Sequence, residues 1–211
     1  MTSARLLSVN VVHALIPDRA GHLDRTAIDK RPVSGRVQVS ALGLDGDSQY
    51  DTKHHGGTEQ AVYAYAREDV AWWEETLGRS IAPGQFGENL TTEGLDVTGA
   101  VLGERWRVGT VELAVTVPRI PCATFQGWMG EPRWVKRFTQ RGRPGAYLQV
   151  PVEGELAVDD RIEVVHRPDH GVTVGDMFRA LTGDKDQLAR VAEVPDLSEK
   201  SRDVVRRLLP S

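Results

Sequence analysis

From Val111 to Val117 the chain alternates without a break: Val111, Leu113, Val115 and Val117 fall on one face, Glu112, Ala114 and Thr116 on the other. A period of two belongs to a half-buried strand. Leu6 to Val12, Arg36 to Leu42, Ala61 to Tyr65, Arg105 to Val108, Ala146 to Val150 and Arg161 to Val165 repeat the pattern among Gly, Pro, Asp and Asn breaks. Many short strands without regular helices between them predict a mainly β fold. The expected form is an antiparallel sheet rolled into a closed or partly open barrel, because closure removes exposed edges.

Two helices are expected to interrupt this body. In the first, Ala66, Val70, Trp73 and Leu77 recur at helical spacing, Glu68 and Asp69 sit in the first turn, and Gly78 marks the stop. In the second, Pro132 opens a helix with Trp134, Val135 and Phe138 as its apolar stripe, ending at Gly142. VLGERWRV (Val101 to Val108) and LAVDDRIEV (Leu156 to Val164) echo one another weakly, as similar barrel corners would. After residue 168 the period changes. Val174, Met177, Phe178 and Leu181 form one stripe, Asp184 with Gln187 reads as a capping box, and Ser198 caps a third helix with Val204, Val205, Leu208 and Leu209 on one side. The sequence thus divides into a barrel over 1–168 and a three-helix tail over 169–211. A tail of about forty residues is near the lower limit for independent stability and is expected to pack on the barrel or a partner.

Charge narrows the functional classes. The 211 residues carry 26 Lys and Arg against 30 Asp and Glu, a formal net charge of -4, which argues against nucleic acid or an anionic membrane as partner. The single cysteine, Cys122, cannot form an internal disulfide, and MTSARLLSVNVVHALIPD lacks the unbroken apolar run of a signal peptide. No stretch has the apolar length of a bilayer span. The expectation is a soluble protein in a reducing cytoplasm.

Several stretches could carry chemistry. In GLDGDSQYDTKHHGG (Gly43 to Gly57) successive glycines, with Lys53 and His55, could cradle a phosphate or carboxylate, or could simply make the turns of a surface loop. His54 and His55 point to opposite faces of an extended segment, and no CxxC or HExxH is present, so an all-protein zinc site is not expected. In PGQFGENLTTEGL, Glu88 and Asn89 could read the edge of a heterocycle or satisfy loop backbone. Arg141, Arg143 and Tyr147 could form a rim or a solvated turn. A lone thiol is most often buried, but Cys122 follows Pro121 and lies near Arg119, a setting that favours thiolate. A Cys–His nucleophile with His55 as base would need an oxyanion hole and a third orienting group.

GLDGDSQYDTKHHGG, AVYAYAREDVAWW, FGENLTTEGLDV, PRIPC and PGAY, in this order and spacing, resemble the MOSC domain, the family named for the C-terminal domain of molybdenum cofactor sulfurase. The resemblance is strongest to its YiiM-type branch, in which a three-helix unit follows the barrel. It implies a barrel holding molybdenum cofactor, a pterin dithiolene with a terminal phosphate, with Cys122 as metal ligand. It further implies that Lys53, His55, Gly56 and Gly57 form the cofactor-side loop, that Asn89 faces the pterin, and that Arg119 and Arg143 meet the phosphate. Tyr147 matches an aromatic position of amidoxime-reducing relatives. Many MOSC proteins have histidine where this chain has Ser48-Gln49; the YiiM branch shows a similar glutamine, which supports the subfamily and weakens transfer of any role of that histidine.

The implied activity is reduction of N-hydroxylated substrates, such as N-hydroxylated purines or amidoximes, to amines or amidines. The chain has no ferredoxin-like cysteine cluster, CxxCH or Rossmann fingerprint, so the expected electron source is a separate protein. Two alternatives accompany this. Cys122 could carry persulfide sulfur from a pyridoxal-phosphate-dependent desulfurase, the pyridoxal phosphate belonging to that partner, or the chain could be a non-enzymatic cofactor-binding module. The sequence leaves the oligomeric state open.

Overall fold

The computed structural model describes residues 4–19, 24–50, 56–195 and 197–209. Its centre is an eight-stranded sheet. In chain order the strands of this sheet and its small companion are β1 (Arg5–Pro17), β2 (Arg25–Pro32), β3 (Val37–Ser40), β4 (Gly43–Leu44), β5 (Val62–Ala66), β6 (Leu90–Glu93), β7 (Arg105–Val108), β8 (Val111–Pro118), β9 (Ala146–Val152), β10 (Gly154–Leu156) and β11 (Ile162–His166). The large sheet runs β11-β7-β8-β9-β5-β6-β1-β2 and the small one β10-β3-β4. All seven alternating stretches of the sequence are strands.

The barrel is of the partly open kind. Its hydrogen-bonded ladder does not close, yet Leu6 N donates to Asp160 O at 3.0 Å and Ile162 N to Ala4 O at 2.9 Å, which curls the start of β1 onto the approach to β11. One departure from the antiparallel expectation is definite: β5 and β6 run parallel, Ala64 opposite Leu90. The cause is the connection. Helix α1 (Arg67–Leu77) and a long loop carry the chain back across before β6 begins, as a parallel pair requires.

Strand β5 explains why there are two cores. Every residue of VYAYA is buried, and because side chains alternate along a strand, Val62, Ala64 and Ala66 enter the aliphatic barrel core while Tyr63 and Tyr65 enter an aromatic one. The aromatic core lies beneath α1 and two further helices, α2 (Ala123–Met129) and α3 (Trp134–Arg141). Gly78 and Gly142 end α1 and α3 in left-handed conformation, as expected. Helix α2 is a third interruption of the β body that the sequence pattern does not announce.

The tail forms α4 (Val174–Leu181), α5 (Lys185–Ala192) and α6 (Glu199–Leu208). Asp184 caps α5 through the Asp186 and Gln187 amides, whereas the reciprocal capping box is made at α4 by Thr173 and Asp176. Val174, Met177, Leu188, Val191 and Val205 share the aliphatic core of the barrel. Leu102 N donates to Val172 O and Val174 N to Ala100 O, so the tail is joined to the barrel by backbone as well. Of the α6 stripe, Val205 is buried while Val204 and Leu208 are exposed. No helix among the described residues is long and apolar enough to cross a membrane.

Candidate functional site

A cavity of about 150 Å³ opens where β8 leaves the sheet, with Lys30, Asp47, Asn89, Arg119, Cys122 and Tyr147 among its lining residues. Pro118 ends β8, Arg119 follows, and Cys122 takes the extended N-cap position of α2. The thiol is half-buried at this corner. Five of the residues singled out in the sequence therefore meet here: Gly56, Asn89, Arg119, Cys122 and Tyr147.

Asp47 organises the floor. Its carboxylate accepts from Val12 N at 3.0 Å, from Asn89 Nδ2 at 2.8 Å and from the Lys30 ammonium. Both charges are withdrawn from solvent, with side-chain exposures of 6% and 11% for Asp47 and Lys30. Burial pushes the Lys30 amine below the ordinary lysine range, against the pull of Asp47. Asn89 completes the frame: its Oδ1 accepts from Tyr63 N, and its Nδ2 also donates to Asn10 O. Both Nδ2 protons thus have protein partners, which makes Asn89 the brace between β1, β5 and Asp47.

Arg119 is the opposite case. It is 7% exposed, and among the described residues no carboxylate lies within ion-pair distance of it. Its Nη1 donates to Phe86 O, and its guanidinium lies 3.9 Å from the Phe125 ring centre and 5.2 Å from that of Tyr63. Polarisable ring faces and a carbonyl hold the cation without neutralising it. Burial raises the pKa of the neighbouring Tyr147 phenol, so that hydroxyl keeps its proton.

The glycine-rich loop is built differently from an amide cradle. Gly57 N donates to Gln49 Oε1 at 2.8 Å and Gly56 N to Gln60 Oε1 at 2.9 Å, so both amides are already engaged by glutamines. Gly56 has φ +103°, and a Cβ there would stand 2.3 Å from Gln49 Oε1, so glycine is required by the approach of Gln49. Lys53 and His55 lie outside the described residues.

Other candidates sit elsewhere. Arg143 donates to Asp69 at 2.9 Å and to Asp96 at 2.7 Å, away from the cavity, and Arg141 pairs with the same Asp69. Arg143 is thus engaged by two carboxylates and does not line the cavity that holds Arg119 and Cys122. Glu88 is fully buried and accepts from Gly84 N, Phe86 N and Thr91 Oγ1, the loop-satisfying alternative of the two considered. Lys30, Asp47, Gln60 and Tyr63 enter the site without having been singled out, and Gln49, named only as standing where many MOSC proteins have histidine, enters with them. Asp47 and Gln49 lie inside the quoted glycine-rich stretch, but nothing in DKRP distinguishes Lys30 from a surface lysine.

The MOSC domain family model matches residues 51–163, just over half of the chain. The protein YflK of Bacillus subtilis (strain 168) is 32% identical over 169 residues, covering 80% of this chain and 76% of that one. A protein named Reductase from Gibberella moniliformis is 31% identical over 171 residues, covering 73% of this chain but 29% of its own length. The crystal structure of YiiM from Geobacillus stearothermophilus superposes with a TM-score of 0.80 at 27% identity, over 98% of this chain and all of that one, tail included. The chain belongs to the MOSC domain family, in its YiiM-like branch.

Proposed function

We propose that this chain binds molybdenum cofactor through Cys122 and reduces N-hydroxylated substrates, such as N-hydroxylated purines or amidoximes, with electrons from a separate protein. The observation that carries the reading is one cavity shared by a half-buried thiol and a buried guanidinium that has no carboxylate partner among the described residues. Thiolate is a soft donor suited to such a metal. Among the described residues no three His, Cys, Asp or Glu side chains gather as a metal site, so a single thiolate suits a metal that arrives with ligands of its own. A buried cation beside it suits the anionic phosphate of the pterin. On this chemistry the residues fit the group. Family membership and the similarity to a fungal protein named as a reductase support the oxidoreductase class.

When bound, the cofactor supplies a centre that accepts an oxygen atom while giving two electrons. The protein's part is to hold and orient. Cys122 would ligate the metal from the N-cap of α2, and Arg119 would meet the anion. The Asp47–Lys30–Asn89 floor fixes the shape of the cavity. The Tyr147 hydroxyl, which has no hydrogen-bond partner among the described residues, remains a donor for a ligand.

The test is metal analysis and pterin fluorescence on protein made in a cofactor-competent host, comparing wild type with Cys122→Ser. Near-stoichiometric molybdenum in the wild type and its loss in the variant are expected. Wild type without molybdenum, or equal loading in both, refutes the ligand role. A persulfide on Cys122 after incubation with a desulfurase, found by mass spectrometry in protein that never takes up molybdenum, would establish the sulfur-carrier alternative instead.

A further inference from the structure

Residues 131–143, EPRWVKRFTQRGR, carry five cations and one carboxylate in a chain of formal charge -4; Arg137 pairs with Glu131, and Arg141 and Arg143 with Asp69, which leaves Arg133 and Lys136 as the local excess. Helix α3 buries Trp134 and Phe138 and turns its basic side outward. Arg133 and Lys136 are exposed, and among the described residues neither has a carboxylate within ion-pair distance. Beside them α1 presents Trp72, 38% exposed, with the Arg141 guanidinium 4.3 Å from its ring centre. A shallow groove joins Trp72 to Arg137, Gln140 and Arg141.

Behind this surface the packing is aromatic all the way to the Cys122 cavity. Trp72 meets Trp73 at 4.8 Å between ring centres, Trp73 Nε1 donates to the Tyr65 hydroxyl at 3.2 Å, Tyr65 neighbours Tyr63 at 6.3 Å, and Tyr63 neighbours Tyr147 at 5.0 Å. Tyr63 and Tyr147 both line the cavity. The buried rings of Trp73, Tyr65 and Tyr63 connect the groove to the cavity.

We infer that the α3–Trp72 face is the docking surface for an acidic electron-carrier protein, an inference that rests on the reductase reading. Charge complementarity selects the partner: an anionic carrier is steered to a local cationic face on an otherwise acidic protein. The net reaction consumes two electrons and two protons per N–O bond broken, R–NHOH giving R–NH2 and water. The carrier is oxidised, the substrate nitrogen is reduced, and the rings between them are a packed medium that is neither oxidised nor reduced.

The experiment uses cofactor-loaded protein and an acidic flavodoxin as probe. Binding is followed by calorimetry, and turnover is driven either by reduced flavodoxin or by reduced methyl viologen. Lys136→Glu/Arg137→Glu is compared with Arg206→Glu/Arg207→Glu on α6, which changes the charge equally elsewhere. The α3 pair is expected to raise the flavodoxin Kd by about tenfold or more, with the α6 pair near wild type and viologen-driven turnover unchanged in both. Equal Kd values for the two pairs overturn the assignment, as does a parallel loss of viologen-driven turnover in the α3 pair. Oligo-dT binding tighter than flavodoxin binding and abolished by the α3 pair overturns it in favour of a nucleic-acid surface. A wild type inactive with viologen refutes the reductase reading alone, because the Kd comparison still decides the docking surface.

Discussion

Replacing Arg119 by methionine separates folding from ligand binding more sharply than any other change in the cavity. The guanidinium is desolvated without a counter-ion among the described residues, which costs several kcal/mol. Opposing this are one charged hydrogen bond to the buried Phe86 carbonyl, about 1.5–3 kcal/mol, and two cation–ring contacts of roughly 1–2 kcal/mol each. The sums are close, so apo Arg119→Met is expected to unfold within about 2 kcal/mol of apo wild type, whereas breaking a buried ion pair costs about 3–5 kcal/mol. Cofactor retention should change far more. Losing one member of a buried charge pair costs about 2 kcal/mol or more, roughly thirtyfold in affinity. The assay is urea unfolding of apo protein beside molybdenum retention through repeated dialysis. A loss above about 3 kcal/mol in the apo state refutes the reasoning, because it would mean that the fold itself compensates the charge. Unchanged retention refutes the anion-binding role.

Asp47→Ala is the contrasting case: it strands the Lys30 ammonium and removes acceptors from Val12 N and Asn89. A loss of about 3–5 kcal/mol is expected, and Lys30→Met/Asp47→Ala should be more stable than the sum of the single changes by at least about 1 kcal/mol. Simple additivity in the denaturation cycle would remove the pair from the list of stabilising features. Asp176 supplies a pH test. Burial opposes its ionisation, but bonds from the Thr173 amide and hydroxyl and from Arg179 hold its pKa below the ordinary aspartate value. A depressed folded pKa means that its contribution is present above the unfolded value and lost as pH falls through the folded one. Asp176→Asn should therefore cost about 1 kcal/mol at pH 7 and progressively less below about pH 4. A difference independent of pH between 2 and 7 contradicts the assignment.

The strands with strong alternation were legible because one face of each is apolar, and Val111 to Val117 is the clearest. β2 and β6 were not, since they bury Thr26, Asp29, Thr91 and Thr92, which pair with neighbouring strands and give no apolar signal. Helix α2 has seven residues, contains Gly127, and has no side-chain hydrogen bond at its N-cap, so neither period nor cap announced it. In the site, Cys122 and Arg119 stood out by residue type and proximity. Lys30, Asp47 and Asn89 could not be joined from the sequence, because 17 and 42 residues separate the bonded pairs and only the folding of β2 and β6 around β1 brings them together. Arg143 was illegible for a related reason: an arginine in a turn looks alike whether or not it is engaged, as here, by carboxylates 74 and 47 positions away.

Lys30 and Arg119, the two cations that line the cavity among the described residues, show what the fold has left available. Lys30 is matched by Asp47, Asn89 by three protein partners, the Gly56 and Gly57 amides by two glutamines, and the Tyr63 hydroxyl by Pro144 O. These groups build the cavity and have little capacity left over. Arg119, the Tyr147 hydroxyl and the half-buried thiol line the same space; among the described residues the guanidinium, held by the Phe86 carbonyl and two ring faces, has no carboxylate to neutralise it, and the Tyr147 hydroxyl has no hydrogen-bond partner. A folded protein that leaves a buried charge uncompensated is less stable than it need be, and such a cost persists where a ligand offsets it. On the proposed function, the ligand is anionic on the Arg119 side and binds sulfur on the Cys122 side. The terminal phosphate of the proposed cofactor meets the first condition and its metal the second, which is why the proposed function assigns these two residues to the two ends of one ligand.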